Sequence, residues 1–402
     1  MSMLNQELEN SLPSQVYYDV QVSNFGNATT KPNPFHYNDT RNSPYLYNPE
    51  GYELSIIRFS IDTGGVPVFI PEIQPNQPDR DLTVYKVSLS YFDGSTTFYG
   101  NADIIWRPQD LSVSKPIPPS ESKNKLQDNN GGYYNCYAYS WFVELVQKAY
   151  VDAFQDLFIN LGGTLPESDN KTEDLKLPII YWDTEANKAI IQAQFNFYDL
   201  KNVSSDPSTP HAGMYMNKSL YNIFNSFPAK KLSDNDTLNH ANYQIELFSV
   251  LTINVSQIQT DPNSSAASTI HPFITFPQET STVFNWSPIT ALVFTSNTLP
   301  VNPNQVSTPL IYNENSLSFS RGGSNSATEN IVTDIVSSDG QYRGGIVYTP
   351  SAQYRKITLF GNQPLHNLDL NIYYRLKTGE MIPFRLSEGG ACTLKLLFEK
   401  IR

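Results

Sequence analysis

Apolar and polar residues alternate most regularly over the last fifty positions of the chain. Ile357 and Leu359 alternate with Lys356 and Thr358, and Leu368, Leu370, Ile372 and Tyr374 alternate with Asp369, Asn371, Tyr373 and Arg375. Ile382, Phe384 and Leu386 follow Lys377-Thr378-Gly379-Glu380; Leu394, Leu396 and Phe398 follow Glu388-Gly389-Gly390. Successive side chains on a strand point to opposite faces, so a period of two predicts strands with one apolar and one wetter face. The short Gly-bearing breaks predict hairpins that join these runs into an antiparallel sheet, half-buried against the rest of the chain.

Upstream, the same period predicts strands over Tyr52 to Asp62 and Thr83 to Phe92, and further strands over Tyr243 to Asn254, Thr290 to Ser296, Ile331 to Val336 and Gly345 to Tyr348. Between them the period changes. Tyr137, Trp141, Leu145, Ala149 and Ala153 recur every four residues, with Glu144, Lys148 and Asp152 on the other side. That predicts one amphipathic helix from about Cys136 to Leu161, ended by Gly162-Gly163. A hairpin follows over Pro178 to Phe197, turning at Asp183 to Asn187, and then a short helix over Lys218 to Phe227 closed by Pro228. Val66 to Ile73 carries Pro67 and Pro71, which suits an edge or a loop lining. Residues 1–34, Ser114 to Asn130, Ser256 to Thr269 and Pro300 to Asn330 have little periodicity. The first reads as an N-terminal arm and the last as a long mobile loop.

Composition sharpens the class. The chain has 25 Tyr, 22 Phe, 28 Pro and 20 Gly in 402 residues, with 16% charged residues, which favours many short strands over a helical bundle. Its net charge is −12, from 39 acidic against 27 basic residues, and Lys230-Lys231 is its longest basic run. Direct nucleic-acid binding, which is driven by Lys and Arg, is therefore not expected. No window approaches about 18 uninterrupted apolar residues, so no membrane span is expected, and Met1 to Glu7 carries no signal-peptide pattern.

Candidate chemistry is sparse. His36, His211, His240, His271 and His366 are dispersed, with no pair at metal-ligand spacing. Cys136 and Cys392 stand far apart and read as two small buried thiols. No Gly-x-Ser-x-Gly elbow occurs, and Arg321-Gly322-Gly323-Ser324 is a weak phosphate-loop signal. Asp183 and Glu185 occupy a predicted turn, where Asp is an ordinary turn former. Asn-x-Ser/Thr triplets at Asn27, Asn38 and Asn217 read as by-products of composition. No catalytic, cofactor-binding or metal residue is assigned, no cofactor is expected, and the chain is not read as an enzyme.

Two ordered regions carry a family resemblance. Gln353 to Leu359, Pro364 to Tyr374 and Leu394 to Lys400 resemble the C-terminal end of minor capsid (penton) proteins of Polinton/Maverick-type elements, adintoviruses and virophages. Asn38-Asp39-Thr40-Arg41, the strand Ile56-Ile57-Arg58-Phe59 and then Val66-Pro67-Val68-Phe69-Ile70-Pro71 resemble the same family near the other end. The resemblance implies a mainly β protein with a single jelly-roll (an antiparallel β-sandwich) bearing helical and loop insertions. It also implies a homopentamer at icosahedral vertices, beside major capsid protein neighbours, in a virion capsid assembled from protein made in the host cell.

The expected organisation is an arm at 1–34 and a jelly roll at 35–402, with an inserted helix-plus-hairpin region at about 114–240 and a long loop at about 297–330. The arm and the loops near Val66 to Ile73 and Pro300 to Asn330 are expected to touch other subunits or face outward. The alternative is a carbohydrate-binding or glycan-acting β-sandwich, since aromatic side chains make platforms for sugar faces. Exposed Trp or Tyr in a groove with paired carboxylates would mark it.

Overall fold

The computed structural model describes residues 13–25, 35–75, 77–109, 118, 127–129, 131–166, 174–197, 208–232, 241–247, 258–259, 271–301, 330–336, 345–348 and 355–401. The chain begins with strands β1 (Gln15–Ser23), β2 (His36–Thr40) and β3 (Tyr52–Ile61). Then come β4 (Leu82–Phe92), β5 (Thr97–Ile105), helix α1 (Tyr139–Asn160), β6 (Ile179–Asp183), β7 (Lys188–Gln194), β8 (His211–Met216) and α2 (Lys218–Ile223). Short strands β9 (Ala229–Lys231), β10 (Tyr243–Ile245) and β11 (Ile258–Gln259) lead to β12 (His271–Pro277) and α3 (Val283–Trp286). The last third holds β13 (Ile289–Ser296), β14 (Asn330–Ile335), β15 (Ile346–Tyr348), β16 (Ile357–Thr358), β17 (Asn367–Leu376), β18 (Met381–Pro383) and β19 (Ala391–Lys400).

The two ends of the chain fold together. One sheet runs β1-β19-β3-β15, with β16 also on β3; the other runs β14-β13-β17-β18, with β2 also on β17. Their inward residues form one core, among them Leu54, Phe59 and Ile61 of β3, Leu292 and Phe294 of β13, Leu368 and Ile372 of β17, and Leu394, Leu396 and Phe398 of β19. Phe59 meets Phe294 edge-to-face at 5.0 Å, fixing β3 opposite β13. The chain crosses repeatedly between the two sheets as it builds them, which is the jelly-roll winding. Every pairing among these strands is antiparallel.

Between β3 and β13 the chain leaves this sandwich and builds a second core. It has a sheet ordered β5-β4-β8-β10-β9, a sheet ordered β11-β12-β7-β6, and α1 packed on β4, β5 and β6. Trp286 lies near its centre, with the rings of Phe69, Tyr139, Phe142, Trp182 and Phe224 all within 5.6 Å of it. Its buried indole N–H donates to Ile223 O at 3.2 Å, the partner that such burial requires. The crossings are abrupt. Val66 belongs to the first core and Val68 to the second; Trp286 belongs to the second and Ile289 to the first.

Several expected elements are present. The helix runs Tyr139–Asn160 and ends at Gly162 and Gly163, both with positive φ, whose amides donate to Ile159 O and Phe158 O. The hairpin is β6–β7, where Asp183 Oδ1 accepts the Glu185 and Ala186 amides as a turn former. The short helix is α2, capped by Asn217 Oδ1, which accepts the Leu220 amide.

Other elements differ from expectation. The C-terminal runs do not make one sheet: β17 and β19 lie in opposite sheets and face each other across the core, joined by the crossing segment Phe384 to Gly390. Residues 15–23, placed in the arm by sequence, form β1, which pairs along its whole length with β19 from the far end of the chain. The departure from the jelly roll begins after Ile61 and ends at Ile289, a wider span than 114–240, because β4 and β5 pair with β8 and pack on α1. Val66 to Ile73 is no outward loop. Val66, Val68, Phe69 and Ile73 are buried, and the Phe69 and Cys136 backbones bond to each other.

Residues 302–329 of the expected long loop lie outside the described residues, as do most of Ser114 to Asn130 and Ser256 to Thr269, and 248–254 of one predicted strand.

Candidate assembly surfaces

The dispersed polar residues are used structurally. His36 Nδ1 bonds Asn371 Oδ1 at 2.7 Å, His211 Nδ1 bonds Thr209 O at 3.1 Å, and His366 Nδ1 bonds Arg41 O at 3.0 Å. His240, Asn27 and Arg321 to Ser324 lie outside the described residues. Cys136 and Cys392 are buried, in different cores and not joined by a disulfide, and burial pushes the Cys392 thiol far up. Among the described residues no three His, Cys, Asp or Glu side chains are placed to hold a metal ion, and no helix is long and apolar enough to cross a membrane. All four tryptophans are buried or half-buried, so they form no exposed platform for a sugar.

Surface chemistry gathers instead on the flanks of the jelly roll. On one flank β1 and β2 meet through Tyr18, Tyr37, Asp39, Arg41 and Tyr45. Tyr18 donates its single hydroxyl proton to Asp39 Oδ2 at 2.8 Å, so in the 2.5 Å contact between Tyr18 and Tyr37 the proton is Tyr37's. Tyr45 also donates to Asp39 Oδ2, and Arg41 Nε does so at 3.0 Å. The Arg41 guanidinium lies 4.9 Å from the ring centres of both Tyr18 and Tyr45, a double cation–π contact.

The electrostatics follow from this geometry. Hydrogen bonds from Tyr45, Tyr18 and Arg41 hold the Asp39 carboxyl below its usual range. Burial, helped by the bond to Asp39, pushes the Tyr18 and Tyr45 hydroxyls up to about 12. The Asn-Asp-Thr-Arg run singled out in the sequence is thus a clasp between the two sheets.

The opposite flank is formed by β14 and β15. Since β1 faces β2 and β3 faces β13, β15 and β14 share the far side of the sandwich. Val336 is exposed there, and Val347 is exposed on the outer face of its sheet. Between the flanks, the outer face of the β1-β19-β3 sheet is a ladder of ion pairs: Lys356 with Glu53 and Glu399, Arg58 with Asp19, and Lys395 with Asp19. Such exposed pairs contribute little stability each, and they leave this face neutral.

Asp369 anchors the strand end from which the expected long loop departs. Though buried on β17, it accepts hydrogen bonds from Ser296 Oγ at 2.7 Å, the Asn297 amide at 2.9 Å, and the Thr298 amide and Oγ1 at 2.8 and 2.7 Å. Burial pushes its carboxyl up, and those bonds outweigh burial and hold it below the usual value. Alternation along β17 placed Asp369 on the wet face, and no sequence signal marked it as buried.

Charge is divided unequally between the two cores. Residues 62–288 hold 25 acidic and 14 basic side chains; the remainder holds 14 and 13. The segment between β3 and β13 therefore carries nearly all of the net negative charge, and the jelly roll is close to neutral.

Comparison with known proteins bears on what these surfaces serve. A protein-family model described as Sputnik minor capsid protein V18/19 matches residues 16–400. Uncharacterized protein V18 of the Sputnik virophage is 30% identical over 161 residues, covering 38% of this chain and 90% of that protein. Structural protein V19 of the same virophage is 27% identical over 223 residues, covering 55% and 93%. A chain in the cryo-EM structure of the Sputnik virophage superposes with a TM-score of 0.72 at 24% identity, covering 97% of this chain and 98% of that one. The crystal structure of the mavirus penton protein superposes with a TM-score of 0.57 at 16% identity, covering 97% and 100%. At these identities the superpositions establish a shared fold.

Proposed function

We propose, from the premise that the chain belongs to the Sputnik minor capsid protein V18/19 family, that five copies close into a ring and occupy the vertices of an icosahedral shell. The family is one of structural capsid proteins and not of enzymes, and the role of this chain is structural. The pentamer, the vertex and the contact with major capsid protein neighbours are the proposal.

The observation that carries it is the jelly roll itself. Strands β1 to β3 and β13 to β19 make a two-sheet block with two distinct flanks. A head-to-tail contact between unlike flanks generates a closed ring when the rotation per copy divides a full turn. In this reading the chain divides into a jelly roll at 15–61 and 289–400 and an inserted unit at 62–288. The jelly roll is the part that tiles against other capsid proteins. The mavirus penton neighbour supports the five-fold arrangement through its shared fold.

Co-expression with a major capsid protein tests vertex placement. Particles imaged by cryo-EM are expected to show density for this chain at the five-fold positions only. Density spread over other capsomers, or particles that close without this chain, would overturn it.

A further inference from the structure

We infer that residues 1–12, which lie outside the described residues, form a short amphipathic helix that packs on the end of their own jelly roll, over Tyr47, Phe360 and Ile401. This concerns a single copy and stands whether or not copies close into a ring.

The jelly roll has two unlike ends. At one, β3 finishes at Ile61 and β13 begins at Ile289, and the inserted unit leaves and returns. The other lies about 30 Å away along β3, at Tyr52. There Leu359 N donates to Tyr52 O, Phe360 N to Pro300 O, Glu50 N to Gly361 O and Ile401 N to Gly51 O, so four stretches of chain meet. Tyr47, Phe360 and Ile401 are exposed at that end, at 61%, 44% and 45%. Tyr47 follows the buried Leu46 and Phe360 follows the buried Leu359, so alternation turns both outward. The inserted unit cannot cover them, because it joins the far end. Apolar side chains gathered on one surface, unlike single ones, mark a contact site.

The sequence supplies the occupant. Within an otherwise aperiodic arm, Met1, Leu4, Leu8 and Leu12 recur at intervals of three and four, which places them on one stripe of a helix. Ser2, Gln6, Glu9 and Asn10 fall on the other side, and Pro13 marks the end. A helix this short is marginal in water and needs a surface to pack on.

The chain delivers the segment to the patch. The Tyr52 hydroxyl donates to Pro13 O at 2.8 Å, and the Lys400 amide donates to Ser14 O at 2.8 Å. Pro13 is thus held beside the strand end that bonds Leu359, and Ser14 beside the neighbour of Ile401. Twelve residues of helix span about 18 Å, enough to cross the open end of two sheets about 10 Å apart. So short a tether keeps the segment at an effective concentration of about millimolar over its own patch, which favours the same copy over a second one.

Hydrogen exchange followed by mass spectrometry on the full chain tests this. Amides of residues 4–12 are expected to exchange about tenfold or more slowly than those of a free peptide of the same sequence. Leu4→Glu/Leu8→Glu and Tyr47→Glu/Phe360→Glu are each expected to restore the peptide rate, whereas Gln6→Ala/Asn10→Ala keeps the protection. Circular dichroism melting shows that each variant is folded. Asn5→Cys/Asn362→Cys, treated with a short bismaleimide, is expected to link within one chain; Cys136 and Cys392 are buried.

Exchange at the peptide rate in the parent would overturn the inference. Protection that survives Tyr47→Glu/Phe360→Glu would place the helix elsewhere and overturn it too. Cross-links formed only between chains would make a second copy the occupant, and protection gained only on adding anionic lipid vesicles would make it a membrane surface; either result overturns packing on the same copy.

Discussion

The Tyr18 hydroxyl of β1 donates to Asp39 Oδ2 of β2 at 2.8 Å, joining edge strands that belong to different sheets. A sandwich is held face to face by its core, but its flanks stay open unless something closes them. Here Tyr18, Tyr45 and Arg41 converge on one carboxylate to do so, and Tyr37 bonds the Tyr18 hydroxyl.

Asp39→Asn is expected to lower the thermal midpoint at neutral pH. Because the folded carboxyl lies below its unfolded value, its contribution is present above pH of about 4 and is lost as pH falls through the folded value. The gap between parent and variant should therefore narrow in acid. A gap that is constant from neutral pH into acid would contradict this account of the clasp.

At the alkaline end the sign reverses. Tyr18 and Tyr45 titrate at about 12 when folded, raised from 10.0, so the unfolded chain loses these protons first. Stability is expected to fall between about pH 10 and 12, and a Tyr18→Phe/Tyr45→Phe variant should fall less steeply. Equal slopes in denaturant titrations across that window would count against it.

Asp369→Ala removes the shared acceptor of Ser296, Asn297 and Thr298. Removing the acceptor from the buried Ser296 hydroxyl and from the half-buried bonds of Asn297 and Thr298 is expected to cost about 3 kcal/mol or more, with a smaller loss for Asp369→Asn, which keeps one oxygen. Denaturant midpoints followed by circular dichroism measure both.

Gly100 is where β5 passes under α1. A Cβ there would lie 2.1 Å from Ala153 O and 2.4 Å from Leu157 N, so Gly100→Ala must push the helix off the sheet. The expected cost is about 2–3 kcal/mol. All four tryptophans lie within 62–288, so tryptophan fluorescence follows this part of the chain, and its transition should shift. An unshifted transition would mean that α1 does not seat where described.

Assembly should respond to salt. In the proposed ring, five inserted units, each with an excess of acidic side chains, share one assembly and repel one another through solvent. The screening length falls from about 30 Å at 0.01 M to about 8 Å at 0.15 M, so rings should form at lower protein concentration as salt rises over that range. Sedimentation at the two salt levels checks the direction; weaker assembly at the higher level would point to ion pairs at the contact.

Much of the local structure was legible in the residue pattern. Helix α1 announced itself through its four-residue spacing and Gly162-Gly163, and β3, β17 and β19 through their alternation. What alternation does not encode is the sheet to which a strand belongs, so β17 and β19 read as neighbours although they face each other across the core. β1 reads from the sequence only as a β-prone piece of the arm, Val16 to Val20, because Val20 is its one fully buried side chain and its partner lies at the other end of the chain. Proline made Val66 to Ile73 look like an exposed loop, whereas its valines and Phe69 thread between the two cores. The clasp residues were noticed as a run in the sequence. That Tyr18 and Tyr45 complete it depends on strand pairing, which spacing along the chain does not show.

The central claim is that this jelly roll closes into a five-membered ring, and electron microscopy of the purified full chain at moderate salt tests it most directly. Class averages with five-fold rotational symmetry are the predicted result. Averages showing single chains at every concentration, or rings of another order, would contradict it.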